Sequence, residues 1–250
     1  MTPAETPTLR AFALLELLIH AGAPVSPADL ARDSGIPKAS LHRMLAALEG
    51  AGLIMREPGA KLAYAVGPRL AHLGLRVVLH PGPRRQRHAI LAALVAELNE
   101  TCNLTMLHDD KVLYLDRVEA DWPLRLQLQP GSRIPAHCCA SGKLLLAMLP
   151  TDERRALVEA MALERHTANT LTDPGLLDSE LDRIAHSGVA IDNEEFVEGI
   201  ACVAVPVLDP GGACLAALAV HAPVSRMPLS RAMDQVPRLQ RAARGLAKTF

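Results

Sequence analysis

Residues 25–53 read VSPADLARDSGIPKASLHRMLAALEGAGL, and this stretch predicts the fold of the first part of the chain. Ser26 and Pro27 indicate a helix start, because a serine oxygen caps free N–H groups and proline is preset for a first helical turn. Gly35 can end that helix in a left-handed conformation. A second helix is predicted from about Pro37. The stretch therefore predicts two short helices joined by a glycine turn.

The second of these helices has two different faces. Leu41, Met44, Leu45 and Leu48 have the i, i+3, i+4, i+7 spacing of a buried stripe. The opposite side carries small, basic and hydrogen-bonding residues, and residues 34–48 include no acid. Such a face allows close approach of a DNA backbone and base edges. The alternative is a surface helix whose polar face is only solvated.

The flanking sequence favours the DNA interpretation. A preceding helix over residues 9–21 has an inward stripe at Ala11, Leu14, Leu15 and Leu18. After the second helix, residues 53–57 and 61–66 predict a β-hairpin around a Pro58-Gly59 turn. Three helices followed by a two-stranded wing form a winged helix-turn-helix, in which the second motif helix enters the major groove.

Candidate DNA-contacting residues follow from that arrangement. Arg43 is the candidate for reading a base, because its guanidinium can satisfy guanine O6 and N7 together, and Ala39 can pack on a thymine methyl. For Ser26, a helix cap and a phosphate contact both remain open. The full predicted set is Arg10, Ser26, Lys38, Ala39, Ser40, His42, Arg43, Arg56 and Lys61.

Charge and composition agree with a nucleic-acid contact at one end. The net charge of the 250 residues is −1, but residues 1–90 carry a charge of +5 and residues 91–250 a charge of −6. The sequence shows neither a membrane-spanning run nor a signal segment, which predicts a cytoplasmic protein. The five cysteines lie in apolar surroundings and are predicted to be reduced thiols of the core.

The remaining sequence predicts a linker helix and an α+β domain. Residues 67–80 form an amphipathic helical pattern that Pro81-Gly82-Pro83 should end, and its apolar stripe suggests packing on a partner. Helical and β-rich patterns then alternate: helices at 84–100, 141–149, 151–162, 176–187 and 229–249, and strands at 102–108, 111–116, 124–128, 189–192, 201–208 and 214–221. These predict a largely antiparallel sheet covered by helices. The predicted domains are 1–66 for DNA binding, 67–83 for the linker and 84–250 for the second domain.

The sequence resembles the IclR-type bacterial transcriptional regulators along nearly its whole length. The motifs that carry the resemblance, in order, are PKASLHRMLAALEGAGL, YAVGPRLAHLG, ETCNL, VLYLDRVE, PGSRIPAHCCASGKLLLA, LTDPGLLDSELDRIAHSGVAIDNEEFVEGIACVAVPVLDPGG and LAALAV. The resemblance implies a GAF/PAS-like effector domain that binds a small organic acid, and a homodimer or a dimer of dimers on an operator in double-stranded DNA. No cofactor and no membrane contact are predicted. The function expected is repression of a catabolic operon, with activation as the alternative.

The resemblance also implies an effector site in the second domain. The positions that correspond are Leu124, Leu126, Ala140, Ser141, Asp192, Ile200, Cys202, Ala219 and His221. Ser141 begins a helix, where free N–H groups favour a carboxylate. Asp192 can accept from a ligand hydroxyl or hold a loop, and Glu194, Glu195 and Glu198 are predicted to be a solvated acidic surface. The last strand has Ala219 and His221 where the family pattern has two serines, which predicts a ligand other than the smallest keto acids. A lone histidine on a strand is more often structural than ligand-binding.

Other chemistries fit the sequence less well. The segment ASGKLL is similar to part of a phosphate-binding loop. That motif, however, requires a glycine at the position of His137 and a serine or threonine at the position of Leu144. His137, Cys138, Cys139 and Cys202 suggest zinc, but neighbouring residues of an extended loop point apart and no CxxC pair occurs, so no metal is predicted. Ser141, His137 and Asp192 lack a G-x-S-x-G elbow, which argues against an enzyme. A hydrolase with an accessory DNA-binding domain and a pure assembly protein remain as alternatives.

Overall fold

The computed structural model describes residues 6–57, 62–78, 81–122 and 131–250. Contacts divide the chain into two compact units, Met1–Val78 and Leu79–Phe250. Among the described residues, no helix combines the length and the apolar character needed to cross a membrane.

The N-terminal unit is three helices followed by a two-stranded hairpin and a fourth helix. The elements are α1 (Pro7–Ala21), α2 (Pro27–Ser34), α3 (Lys38–Gly50), β1 (Ile54–Arg56), β2 (Tyr64–Val66) and α4 (Pro68–Val78). Strands β1 and β2 pair antiparallel, and an isolated bridge joins Val25 to Tyr64. The predicted winged helix-turn-helix is confirmed; the predicted Pro58-Gly59 turn lies outside the described residues.

Local sequence signals set the helix boundaries of this unit. Ser26 caps α2 by accepting a hydrogen bond from the backbone N–H of Asp29, and the predicted αL conformation is found at Gly35, with φ of 66°. The predicted apolar stripes pack together: Leu14, Leu15 and Leu18 of α1 and Leu41, Leu45 and Leu48 of α3 are buried in one core, and Met44 is half-buried against it.

The C-terminal unit is a six-stranded antiparallel sheet with helices on both faces. Its helices are α5 (Pro81–Leu98), α6 (Ala140–Ala147), α7 (Thr151–Ala160), α8 (Pro174–Ser187), α9 (Leu229–Met233) and α10 (Val236–Ala247). Its strands are β3 (Thr101–His108), β4 (Lys111–Val118), β5 (Arg133–Pro135), β6 (Ala190–Asn193), β7 (Ile200–Leu208) and β8 (Cys214–Pro223), in the spatial order β5-β4-β3-β8-β7-β6. The predicted α+β class is confirmed.

Successive side chains of a strand point to opposite faces of the sheet, so the two faces have separate cores. Cys202 and Ala204 of β7 join the core beneath α6 and α8, whereas the intervening residues point to the face on which α5 and α10 pack. The loop ends of β6 and β7 and the first turn of α6 meet at one end of this unit.

Three parts of the predicted element pattern were wrong. Helix α5 begins at Pro81 rather than Arg84, because a first helical turn accepts prolines whose missing N–H would have no partner there. Residues 133–135, where no strand was predicted, form the edge strand β5 paired with Lys111–Leu113. The predicted helix over 229–249 is two helices, since Pro237 cannot donate to the preceding turn. The strand predicted over 124–128 lies outside the described residues.

Candidate nucleic-acid interface and ligand cavity

Helix α3 presents an exposed face without acids, which we call the basic helix surface. It consists of Lys38, Ala39, His42, Arg43 and Ala46, all exposed, with Ser40 half-buried at its edge. The surface is oriented by the opposite side of α3, where three leucines are anchored in the core. Pro37 precedes the helix and provides no side-chain cap, so N–H groups of the first turn remain available to a phosphate.

The other predicted DNA contacts differ in their surroundings. The Ser26 hydroxyl donates to the Asp29 carboxylate at 2.7 Å, so its cap role is established and any phosphate contact competes with it. Arg56 pairs with Glu49 at 3.0 Å and lies over the Tyr64 ring. Arg10 is half-buried on α1. Lys61 lies outside the described residues.

The C-terminal unit contains a small cavity of about 30 Å³ beside the first turn of α6. Five predicted effector residues line it: Ser141, Asp192, Ile200, Cys202 and His221. Ala140 and Ala219 are instead fully buried in the adjoining hydrophobic core. Leu124 and Leu126 lie outside the described residues.

Sequence reasoning missed several lining residues of this cavity. They are Asn103, Tyr114, Ile134, Cys139, Phe196 and Val197. Inward-pointing positions of β3 and β4 could have identified Asn103 and Tyr114, but alternation alone does not tell which sheet face holds a cavity. Phe196 comes from the β6–β7 turn, whose position depends on the whole sheet.

The first turn of α6 borders the cavity through Ser141. Its N-cap residue, Cys139, makes no side-chain cap bond, so the positive end of the helix dipole lies near the cavity. A Cβ atom at Gly142 would overlap the carbonyl oxygen of Ala136. Glycine at this position thus allows the turn over residues 136–139 to pack directly on the helix.

Asp192 and Glu195 are both buried at the cavity end of β6. Asp192 accepts a hydrogen bond from the backbone N–H of Glu195 at 2.6 Å, and burial raises the pKa of its carboxyl group to about 7. Glu195 pairs with the buried Lys143 of α6 at 2.5 Å. The prediction that Glu195 belongs to a solvated surface was therefore wrong; Glu198 is exposed and Glu194 half-buried. The tight β6–β7 turn folds Glu195 inward onto α6.

His221 belongs to a buried polar network. Arg117 donates to Asn103 Oδ1 at 2.8 Å, which orients the amide so that Asn103 Nδ2 donates to His221 Nδ1 at 2.9 Å. The other ring nitrogen, Nε2, lies 3.4 Å from Nη2 of Arg117. Burial, Arg117 and Arg226 lower the pKa of His221 to about 3, so the imidazole is neutral at pH 7.

The segment around His137 is a turn, and here the prediction of divergent side chains was wrong. One ligand atom each of His137, Cys138 and His166 lie within 4.8 Å of one another. Cys139 and Cys202, the other residues considered for zinc, line the cavity instead. All five cysteines are free thiols, four of them buried and Cys214 half-buried, as predicted.

Comparisons with known proteins give a family match for each of the two units. The model of the IclR helix-turn-helix domain matches residues 7–58, and that of the bacterial transcriptional regulator IclR C-terminal domain matches residues 82–248. The probable transcriptional regulator SauR of Cupriavidus necator is 45% identical, with 97% of this chain and 96% of that protein covered. The acetate operon repressor of Salmonella typhimurium is 27% identical, with 96% and 88% covered.

A solved relative carries a ligand. A double mutant of the inducer-binding domain of the PobR transcription factor of Acinetobacter, in complex with 3-hydroxybenzoic acid, matches with a TM-score of 0.60 and 29% identity, covering 64% of this chain and 94% of that one.

A winged helix-turn-helix unit joined to a separate antiparallel-sheet unit with a polar cavity defines the class of DNA-binding transcriptional regulators. Within that class, the chain belongs to the IclR family.

Proposed function

We propose that the chain represses a catabolic operon and that a small organic acid bound in the cavity of the C-terminal unit controls this repression. The basic helix surface is the observation that carries the DNA-binding part: an exposed helix face with Lys38 and Arg43, small residues between them, and no acid. The repressor role is supported by the Salmonella relative, whose name states repression of the acetate operon.

The chemistry of the cavity supports an anionic effector. The first turn of α6, the Ser141 hydroxyl and the Asn103 amide supply donors suited to a carboxylate. A protonated Asp192 adds a further donor near its pKa of about 7. Ile134, Val197 and Ile200 supply apolar wall. The related PobR domain is named as a complex with 3-hydroxybenzoic acid, a compound of the same chemical class.

We propose a homodimer, or a dimer of dimers, as the form that binds DNA. Apolar side chains remain exposed on two helices of the N-terminal unit: Leu9, Phe12 and Ile19 on α1, and Leu73 and Val77 on α4. Exposed apolar side chains grouped on helices are typical of an interface with a second copy.

Gel-shift titration tests the DNA-binding part. The full chain is titrated with the DNA upstream of its own gene and with a random duplex of equal length. Arg43→Ala should lose discrimination between the two duplexes, at a cost of about 1–3 kcal/mol per specific base contact. The control Arg183→Ala removes an exposed arginine from α8 and should leave both affinities unchanged. Unchanged discrimination in Arg43→Ala would overturn the assignment of this residue.

A thermal-shift screen tests the effector. Carboxylic acids of two to seven carbons, including 3-hydroxybenzoate, are added to the full chain, because a ligand selective for the folded state raises Tm. The acid that raises Tm should also release the upstream DNA. Ile200→Trp, which fills the cavity, should abolish the Tm shift, whereas Leu208→Trp at an exposed end of the same strand should not. An equal shift in both variants would place the effector elsewhere.

A further inference from the structure

A cluster of metal-ligating side chains lies next to the ligand cavity, outside the residues assigned to effector binding. His137 and Cys138 belong to the turn before α6, and His166 belongs to the loop between α7 and α8. One ligand atom from each lies within 4.8 Å of the others. A tetrahedral zinc site with these donors needs separations of about 3.3–3.8 Å, given Zn–N and Zn–S bonds near 2.0 and 2.3 Å. Closing this difference requires His166, whose side chain is exposed, to move toward His137 and Cys138.

His137 is prepared for a ligand role by its hydrogen bonding. Its Nε2 lies 2.9 Å from the backbone carbonyl oxygen of Glu164, so Nε2 carries the proton and donates it. That leaves the lone pair on Nδ1, which is buried and has no hydrogen-bond partner. Histidines that bind metals commonly donate the other ring N–H to a carbonyl in this way. A buried acceptor without a partner costs free energy that a bound metal ion would remove.

The loop that carries His166 is held in place by hydrogen bonds. Thr167 Oγ1 donates to the carbonyl of Glu194 at 2.7 Å, and Thr170 Oγ1 donates to the carbonyl of Glu195 at 2.7 Å. His166 therefore stands beside the turn before α6 without help from a metal ion. A site whose donors are already positioned pays less ordering entropy on binding.

Metal binding requires the Cys138 thiol to lose its proton. Binding of a divalent ion displaces this proton to solvent and gives a metal thiolate.

We propose that His137 Nδ1, the Cys138 thiolate and His166 bind one Zn²⁺ ion, with a fourth position left to water. Two histidines and a thiolate are donors of the type that zinc takes up, and three protein ligands are characteristic of an open site.

The position of the site suggests what the ion does. It would join the turn before α6 to the α7–α8 loop, and the His166 ring packs edge-on against Phe196, a lining residue of the cavity, with 5.2 Å between ring centroids. The ion would thus fix one wall of the cavity. This role in effector binding rests on the proposed function, whereas metal binding itself does not.

Cobalt titration tests the site directly. The reduced full chain is stripped with a chelator and titrated with Co²⁺, whose thiolate complexes absorb in the near ultraviolet and whose tetrahedral complexes absorb strongly in the visible. We expect both bands to saturate at one equivalent per chain and to disappear when Zn²⁺ is added. Absence of a thiolate band, with Zn²⁺ also failing to compete with a chromophoric chelator, would overturn the proposal.

Variants assign the ligands. Cys138→Ser and His166→Ala should each weaken Zn²⁺ binding at least tenfold, and circular dichroism checks that each variant is folded. The matched controls are Cys214→Ser, which changes the half-buried thiol of β8, and His186→Ala, which changes an exposed histidine of α8; both should bind Zn²⁺ like the parent chain. Equal affinity in all four variants would refute the ligand set.

A gel shift with the upstream DNA, run on the metal-free chain, separates this proposal from the proposed function. Zinc binding without DNA binding would contradict the proposed function alone, and DNA binding without zinc binding would contradict the metal site alone.

Discussion

At the scale of single residues, the cavity end of the C-terminal unit is notable for buried charged groups. Asp192, Glu195 and Lys143 are each buried, and His221 lies beside the buried Arg117. Burying ionisable groups is costly unless each is paired or neutralised. Lys143 and Glu195 are paired, whereas Asp192 is neutralised through its raised pKa. The free energy of unfolding of this unit should therefore depend on the protonation of Asp192 and on the charges of Lys143 and Glu195.

Asp192 should make stability depend on pH. The folded pKa of about 7 lies above the unfolded value of 3.8, so the folded state holds the proton more tightly. The resulting stabilisation is complete below pH 4 and is lost as the pH rises toward 7. Asp192→Asn, which keeps the oxygen that accepts from Glu195, should gain on the order of 2–4 kcal/mol relative to the parent chain over this interval. Urea unfolding at pH 5 and pH 7.5, followed by the fluorescence of Trp122, measures it; a pH-independent difference would contradict the prediction.

Removing one partner of the buried Lys143–Glu195 pair should cost more stability than removing both partners. Lys143→Met leaves the Glu195 carboxylate buried without its cation, at an expected cost of about 3–5 kcal/mol. The double variant Lys143→Met with Glu195→Leu removes both charges and should recover most of this loss. Urea denaturation of the three chains is the measurement. A double variant no more stable than Lys143→Met would show that packing, rather than charge, dominates at this site.

At the scale of elements, helix α6 connects the core to both candidate sites of the C-terminal unit. All eight of its residues are buried. Its N-terminal turn borders the cavity, and the segment before it carries His137 and Cys138. Close packing of that segment on the helix depends on Gly142. The geometry of the cavity therefore depends on a glycine that contributes no side chain to it.

Gly142→Ala should be strongly destabilising. The added Cβ overlaps the Ala136 carbonyl group, so the turn has to move away from α6, at an expected cost of about 2–4 kcal/mol. Gly245→Ala in α10 is the matched control, because its Cβ would make only an ordinary contact with Ile90 at 3.7 Å. This control should gain about 0.5–1 kcal/mol from helix propensity. Thermal unfolding gives the Tm of each variant. Similar Tm values for Gly142→Ala and Gly245→Ala would contradict the steric overlap at Gly142.

At the scale of the whole molecule, the basic helix surface and the cavity belong to different compact units. The N-terminal part carries the positive charge and the rest carries the negative charge. Control of DNA binding by an effector then requires a coupling free energy between the two units, typically 1–3 kcal/mol, or about 5- to 150-fold in affinity.

The coupling should be reciprocal. If the acid found by thermal shift weakens binding to the upstream DNA by a given factor, that DNA should weaken binding of the acid by the same factor. Fluorescence titration of the full chain with the acid, with and without DNA, gives the second factor. Ile200→Trp should abolish both effects and keep DNA affinity. A large effect in one direction only would contradict a two-site mechanism.

The sequence predicted the local elements that short-range rules specify. Ser26 and Gly35 mark the two ends of α2, the leucines of α3 determine which face is exposed, and the strands predicted at 102–108 and 111–116 appear as β3 and β4. Errors arose where a boundary depends on distant partners: β5 exists because β4 offers it an edge.

The sequence by itself determined the two-unit fold and the acid-free face of α3, because both follow from periodicity and from the residue types within one element. Tertiary structure alone decided that Glu195 turns inward to Lys143, that Asn103 and Phe196 join Ser141 around one cavity, and that His166 stands beside His137 and Cys138. These residues are distant in sequence, and their side chains meet only when the sheet and its helices pack.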